Sequence, residues 1–96
     1  MGIEQTVHDK KDQINRIAAR HGACNVRLFG SVARGEALPG SDIDLLVDVT
    51  GPTSSWFPAG LVLDLEELLG RQVEVVTEKA LNPYIGDYVL REAKAL

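Results

Sequence analysis

Ninety-six residues, 45% hydrophobic and 25% charged, are the makings of one small globular α/β-sized unit, with residues 1–96 read as a single domain. The net charge of −4 and the scatter of ten basic residues, clustered only at Lys10-Lys11, argue against general nucleic-acid binding, which needs a basic surface to release phosphate counterions. One cysteine excludes an internal disulfide, no Cys/His cluster suggests zinc, and no apolar run reaches the roughly 18 residues of a membrane span or forms a secretory signal, so the expectation is a reduced, cytoplasmic protein.

Residues 3–21 carry Ile3, Val7, Ile14, Ile17 and Ala18 at loosely helical spacing, and Gly22 is a plausible stop. Asn25 to Phe29 reads as a strand ending at Gly30, followed by a short helical turn over 31–34 and a loop from Gly35 to Gly40. Ile43 to Val49 is the strongest strand signal, a nearly continuous apolar run of the kind buried on both faces. Gly51 to Ser55 is a break. Ala59 to Leu69 places Leu61, Leu65, Leu68 and Leu69 on one helical face, closed by Gly70. Gln72 to Val76 alternates as a third strand, and the tail from Pro83 spaces Tyr84, Ile85, Tyr88, Val89 and Leu96 as a helix. The expected fold is α/β: a small mixed β-sheet with helices packed mainly on one face. Trp56, Phe57 and the tail aromatics are expected to close the small core rather than to anchor an interface.

The chemistry concentrates in Phe29-Gly30-Ser31-Val32-Ala33-Arg34-Gly35-Glu36 and Gly40-Ser41-Asp42-Ile43-Asp44-Leu45-Leu46-Val47. A glycine after a strand lets the backbone turn sharply and approach a ligand closely. Ser31 then stands where a helix begins, with free N–H groups and a hydroxyl available to an anion, although serine is also favoured there simply as an N-cap. Asp42 and Asp44 are two apart, so on a strand their carboxylates share a face. Strand interiors disfavour aspartate and two like charges repel, which a hard cation such as Mg²⁺ would relieve. Alternatively, Ser41-Asp42 caps a turn and Asp44 lies at a solvated strand end. Together, a Gly-Ser pair and an Asp-x-Asp separated by ten residues arise by chance in on the order of one chain in a thousand this long.

This combination resembles the polymerase-β-like nucleotidyltransferase superfamily, and the wording from Phe29 to Val47 resembles its minimal nucleotidyltransferase (MNT) branch. The resemblance, over about Val26 to Val76, implies a nucleotidyltransferase core with Gly30, Ser31, Arg34 and Ser41 around the triphosphate. It implies that Asp42, Asp44 and a third carboxylate, Glu74, ligate Mg²⁺, two ions being the expectation, and act in catalysis. Relatives in this branch usually carry aspartate at the third position, so Glu74 is one methylene longer; it could also be an exposed polar residue alternating on an edge strand. Arg34, Gly35 and Glu36 match the branch wording and are read as shaping the loop or supporting a phosphate. No P-loop signature is present.

The implied activity is transfer of AMP from ATP, with pyrophosphate leaving. The resemblance further suggests an antitoxin whose partner is a HEPN-domain ribonuclease toxin, modified on a tyrosine. A chain this short needs the acceptor to be shaped by another chain, whether a second copy or a partner. Two alternatives remain: an MNT-fold antitoxin that neutralises by contact alone, and a catalytic subunit serving another acceptor through a separate substrate-binding chain. His8, His21 and Cys24 are given no catalytic role.

Overall fold

A computed structural model describes residues 2–38, 40–81 and 83–96. In chain order the elements are helices α1 (Ile3–Asp9) and α2 (Lys11–Arg20), strand β1 (Ala23–Phe29), the one-turn helix α3 (Gly30–Ala33), strand β2 (Ile43–Val49), helix α4 (Ala59–Leu69), strand β3 (Val73–Thr77), a 3₁₀ turn (Glu78–Ala80), helix α5 (Pro83–Glu92) and a two-residue strand β4 (Lys94–Ala95). The sheet order is β3-β2-β1-β4. β2 and β3 run parallel, with α4 as the crossover between them, while β1 is antiparallel to both β2 and β4. The mixed α/β sheet is the expected class.

One sheet face makes the core. Val26 and Leu28 of β1, Ile43, Leu45 and Val47 of β2, and Val73 of β3 pack with Val7, Ile14, Ile17 and Ala18 from the first two helices and Leu61, Leu65 and Leu69 from α4. The apolar residues alternate along β1 and β2 and recur at helical spacing on α2 and α4, so burying them orients every element at once. The opposite face then receives the residues in between. Register sets Phe29 beside Asp44 beside Glu74, and Arg27 beside Leu46 beside Val76. Leu46 is fully buried there. At the far end, Arg27 donates to Asp48 (2.7 Å) and to the carbonyl of Asn25 (3.0 Å), with Glu78 at 3.4 Å. That end is closed by ion pairs; the other end carries Asp44 and Glu74.

Ile43–Val49 and Ala59–Leu69 form as expected, the latter stopped by Gly70 in the left-handed conformation (φ 68°). The expected single helix over 3–21 is instead two, broken at Lys10 (φ −105°, ψ 14°). Six polar residues, His8 to Gln13, separate Val7 from Ile14, so no apolar contact holds the helix across that gap. Lys10 is satisfied elsewhere, its Nζ donating to the carbonyl of Leu68 (3.1 Å) in the last turn of α4, where a cation is favoured. β1 starts two residues earlier than expected, through an irregularity between Cys24 and Arg27 where Asn25 adopts φ 50°.

The tail also departs from expectation. Leu96 is not on α5: its N–H donates to the carbonyl of Val26 (3.0 Å), just beyond β4 on the edge of β1. Trp56 is 85% exposed and Tyr88 62% exposed, so neither closes the core; Phe57 packs against its margin and Val89 is buried. The chain is small enough that the aliphatic residues of the sheet and helices fill the interior without them. Tyr84 and Ile85, expected on the same stripe, lie outside the described side chains. Among the described residues no helix is long and apolar enough to cross a membrane.

Candidate active site

Gly30 follows β1 and opens α3 with φ +78°. A Cβ on residue 30 would stand 2.2 Å from Asp44 Oδ2, so the glycine permits both the turn and the close approach of that carboxylate. Val32 and Ala33, both buried, fasten α3 to the core, and the N–H of Glu36 donates to the carbonyl of Ser31 (2.9 Å), curling the following loop back over the turn. Ser31 is thereby held half-buried beside Gly30.

Across the sheet, Asp44 pairs in register with Glu74. The carboxyl of Asp44 is pushed up to about 6, first by burial, then by the negative charge of Glu74, a hydrogen bond with Glu74 and the charge of Asp42; the Arg34 guanidinium opposes the shift. Asp42, exposed just before β2, is therefore close enough to act on Asp44. Of the seven expected residues, Gly30, Asp44 and Glu74 adjoin one another at one end of the sheet, and Asp42 lies two residues before Asp44. Ser41 is used differently: its Oγ accepts from the Leu38 N–H (2.8 Å) and its carbonyl accepts from Arg71 (3.1 Å), which shapes the loop entering β2.

The donor set fits a hard divalent cation in kind, since adjacent carboxylates that repel one another are stabilised by the charge it brings. Among the described residues, no three Asp, Glu, His or Cys side chains already converge tightly enough to hold an ion. Asp44 and Glu74 are adjacent in register, with Asp42 exposed just before β2.

One residue absent from the sequence-based set is Glu92, at the end of α5. Its Oε2 accepts from the Gly30 N–H (3.2 Å), and its Oε1 accepts from Arg34. Arg34 also donates through Nε to Glu36 (3.1 Å), so two carboxylates keep its guanidinium firmly protonated. Nothing in the local pattern of the tail marks Glu92, because its partners lie 62 and 58 residues away.

A pH dependence follows for the metal-free protein. The folded state holds the Asp44 proton more tightly than the unfolded chain does, so this group makes stability fall as pH rises from about 4, its ordinary value, through about 6. Asp48 acts in the opposite sense, its carboxyl lowered by the Asn25 amide and by Arg27. The difference between wild type and Asp44→Asn therefore isolates the site. Melting in chelator at pH 4.5 and pH 7 should show a larger advantage for the variant at pH 7; an equal difference at both would contradict the crowded-carboxylate geometry.

Residues 11–96 match the nucleotidyltransferase domain family. The protein adenylyltransferase MntA of Thermococcus cleftensis is 38% identical over 87 residues, which span 91% of this chain and 83% of the relative. A solved structure provisionally named a minimal nucleotidyltransferase superposes with a TM-score of 0.81 at 43% identity, covering 97% of this chain and 93% of that one. A chain from the structure of a tri-AMPylated Shewanella oneidensis HEPN toxin in complex with an MNT antitoxin shares the fold, with a TM-score of 0.65 at 19% identity over 96% of this chain and 70% of that one. The register that sets Asp44 between Phe29-Gly30 and Glu74 thus lies within a match spanning most of the sequence, and the chain belongs to the nucleotidyltransferase domain family.

Proposed function

We propose that the protein is a Mg²⁺-dependent adenylyltransferase acting as an antitoxin, which transfers AMP from ATP to a tyrosine hydroxyl of a partner HEPN toxin. The observation that carries the reading is the seating of Asp44 against Gly30 on one side and Glu74 on the other. It puts the residues expected to hold phosphate next to those expected to hold metal. The named adenylyltransferase relative and the shared fold of the MNT antitoxin supply the acceptor class.

Asp42, Asp44 and Glu74 would hold the metal, which when bound neutralises charge on the attacking and leaving oxygens. Gly30 N–H, Ser31 and Arg34 hold the triphosphate, with Ser41 shaping the loop that presents Asp42. The acceptor oxygen bonds to the α-phosphorus, the bond from that phosphorus to the bridging oxygen of the β-phosphate breaks, and pyrophosphate leaves with that electron pair. The acceptor proton passes to a carboxylate, and Glu74, exposed on β3, is the residue assigned that role in this reading. Positioning and charge neutralisation supply most of the acceleration in such transfers. The partner contributes the acceptor.

The test is incubation of the protein and a cognate HEPN partner with ATP labelled in the α-phosphate. Label on the partner that depends on Mg²⁺ and disappears when the acceptor tyrosine becomes phenylalanine is the expected result. Absence of label, with the partner still neutralised, would replace this reading with antitoxin action by contact alone. The imperfect convergence of the three carboxylates favours that second reading, and neutralisation by the Asp42→Asn/Asp44→Asn double variant at normal expression would establish it.

A further inference from the structure

Glu92 occupies the donors that the proposed function assigns to the triphosphate. Its two carboxylate oxygens are divided between them: Oε2 on the Gly30 N–H at 3.2 Å and Oε1 on Arg34. A backbone N–H is a single donor, so Gly30 cannot give it to a phosphoryl oxygen while Glu92 holds it. The carboxylate is also well shielded, its side chain 13% exposed, whereas the Arg34 and Glu36 side chains are 38% and 65% exposed. At short range its charge repels an incoming phosphate more strongly than an equally distant charge in bulk water would.

The attachment behind Glu92 is short. It ends α5, and the chain continues through Ala93 into β4, which pairs with β1 only at Arg27↔Ala95 and Leu28↔Lys94 before the Leu96 N–H reaches Val26. The main buried cluster is built from elements before α5, with Leu96 only partly buried against it, while Val89 anchors α5 one turn before Glu92. Release therefore needs only a swing of the Glu92 side chain and a shift of the two-residue edge strand, not of the helix.

We propose that Glu92 is an autoinhibitory anion: its carboxylate sits where a phosphate of the nucleotide must bind, and nucleotide binds only when Glu92 leaves Gly30 and Arg34. This rests on the reading of Gly30 and Arg34 as triphosphate donors. Apparent affinity is then the intrinsic affinity reduced by the fraction of molecules in which Glu92 has swung away. A plug closed in nine-tenths of molecules weakens binding about tenfold. The opposite role, in which Glu92 merely aims Arg34 at the phosphate, predicts the reverse sign, since losing it would weaken binding.

Calorimetric titration of ATP with Mg²⁺, and of inorganic triphosphate as a probe lacking the base, decides between them for wild type, Glu92→Gln and Glu92→Ala, each first checked for cooperative melting. Glu92→Gln keeps the side chain's shape and one acceptor, so it serves alone if the alanine variant does not fold. The expected result is about tenfold tighter binding of both probes by the variants, or binding in Glu92→Gln where wild type shows none. Equal or weaker binding by folded variants, with wild type binding normally, overturns the plug and leaves the site reading standing. No binding by wild type or variants overturns both.

Discussion

Replacement of Asp44 by asparagine is expected to reduce AMP transfer by about a hundred- to a thousandfold, the scale on which removing one group that stabilises transition-state charge acts. The same substitution should raise the melting temperature of the metal-free protein near neutral pH. The two effects share one cause. Asp44 is held partly buried beside Glu74 and near Asp42, and its carboxyl is raised to about 6 because the folded chain resists its negative charge. Asparagine keeps the shape, removes the repulsion and takes away a proposed metal donor. Transfer of labelled AMP and thermal melting in chelator measure the two sides. Retained transfer would remove Asp44 from the site; a lower melting temperature would show that its charge is structurally required.

Alanine at position 30 should be the most damaging small substitution in the loop. An L-residue at φ +78° carries a cost of roughly 1–2 kcal/mol. Its Cβ would also overlap the carboxylate of Asp44, at 2.2 Å from Oδ2, and push that side chain out of its place beside Glu74. Gly35 supplies the control. It has φ +74°, but a Cβ there meets nothing within 4 Å. Gly35→Ala should therefore show only the backbone cost, about 1 kcal/mol, and keep nucleotide binding. Gly30→Ala should add an overlap cost of about 1–3 kcal/mol to that backbone cost and lose binding. Urea denaturation with ATP titration compares them, and equal losses in the two variants would mean that the approach of Asp44 to Gly30 has no energetic consequence.

Two elements were legible because their signals are local. The apolar run Ile43 to Val49 and the leucine stripe of Ala59 to Leu69 with Gly70 behind it each state their own period and boundary. Where several polar residues intervene, the helical spacing on either side says nothing about continuity, which is why the break at Lys10 was not readable. Two-residue β4 carries no periodic signal at all and exists because the edge of β1 accepts it. Trp56 shows the limit of composition as a guide: a large aromatic in a small chain is expected inside, yet here the interior is already filled.

The sequence by itself determined the candidate groups and their spacing: a glycine and serine after a strand, two aspartates on alternate positions, and a glutamate flanked by valines. These follow from backbone geometry within a few residues, where alternation and turn preference decide which way each side chain faces. Only the tertiary structure decided that Asp44 and Glu74 are neighbours, through the parallel register of β2 and β3, and that the crowding raises the Asp44 carboxyl. It alone brought Glu92 onto Gly30 and Arg34, because that contact joins residues 62 and 58 positions apart. A side chain's facing is a property of local repeat, whereas its partner is set by how the sheet and its covering helices pack, and no repeat in the chain records that.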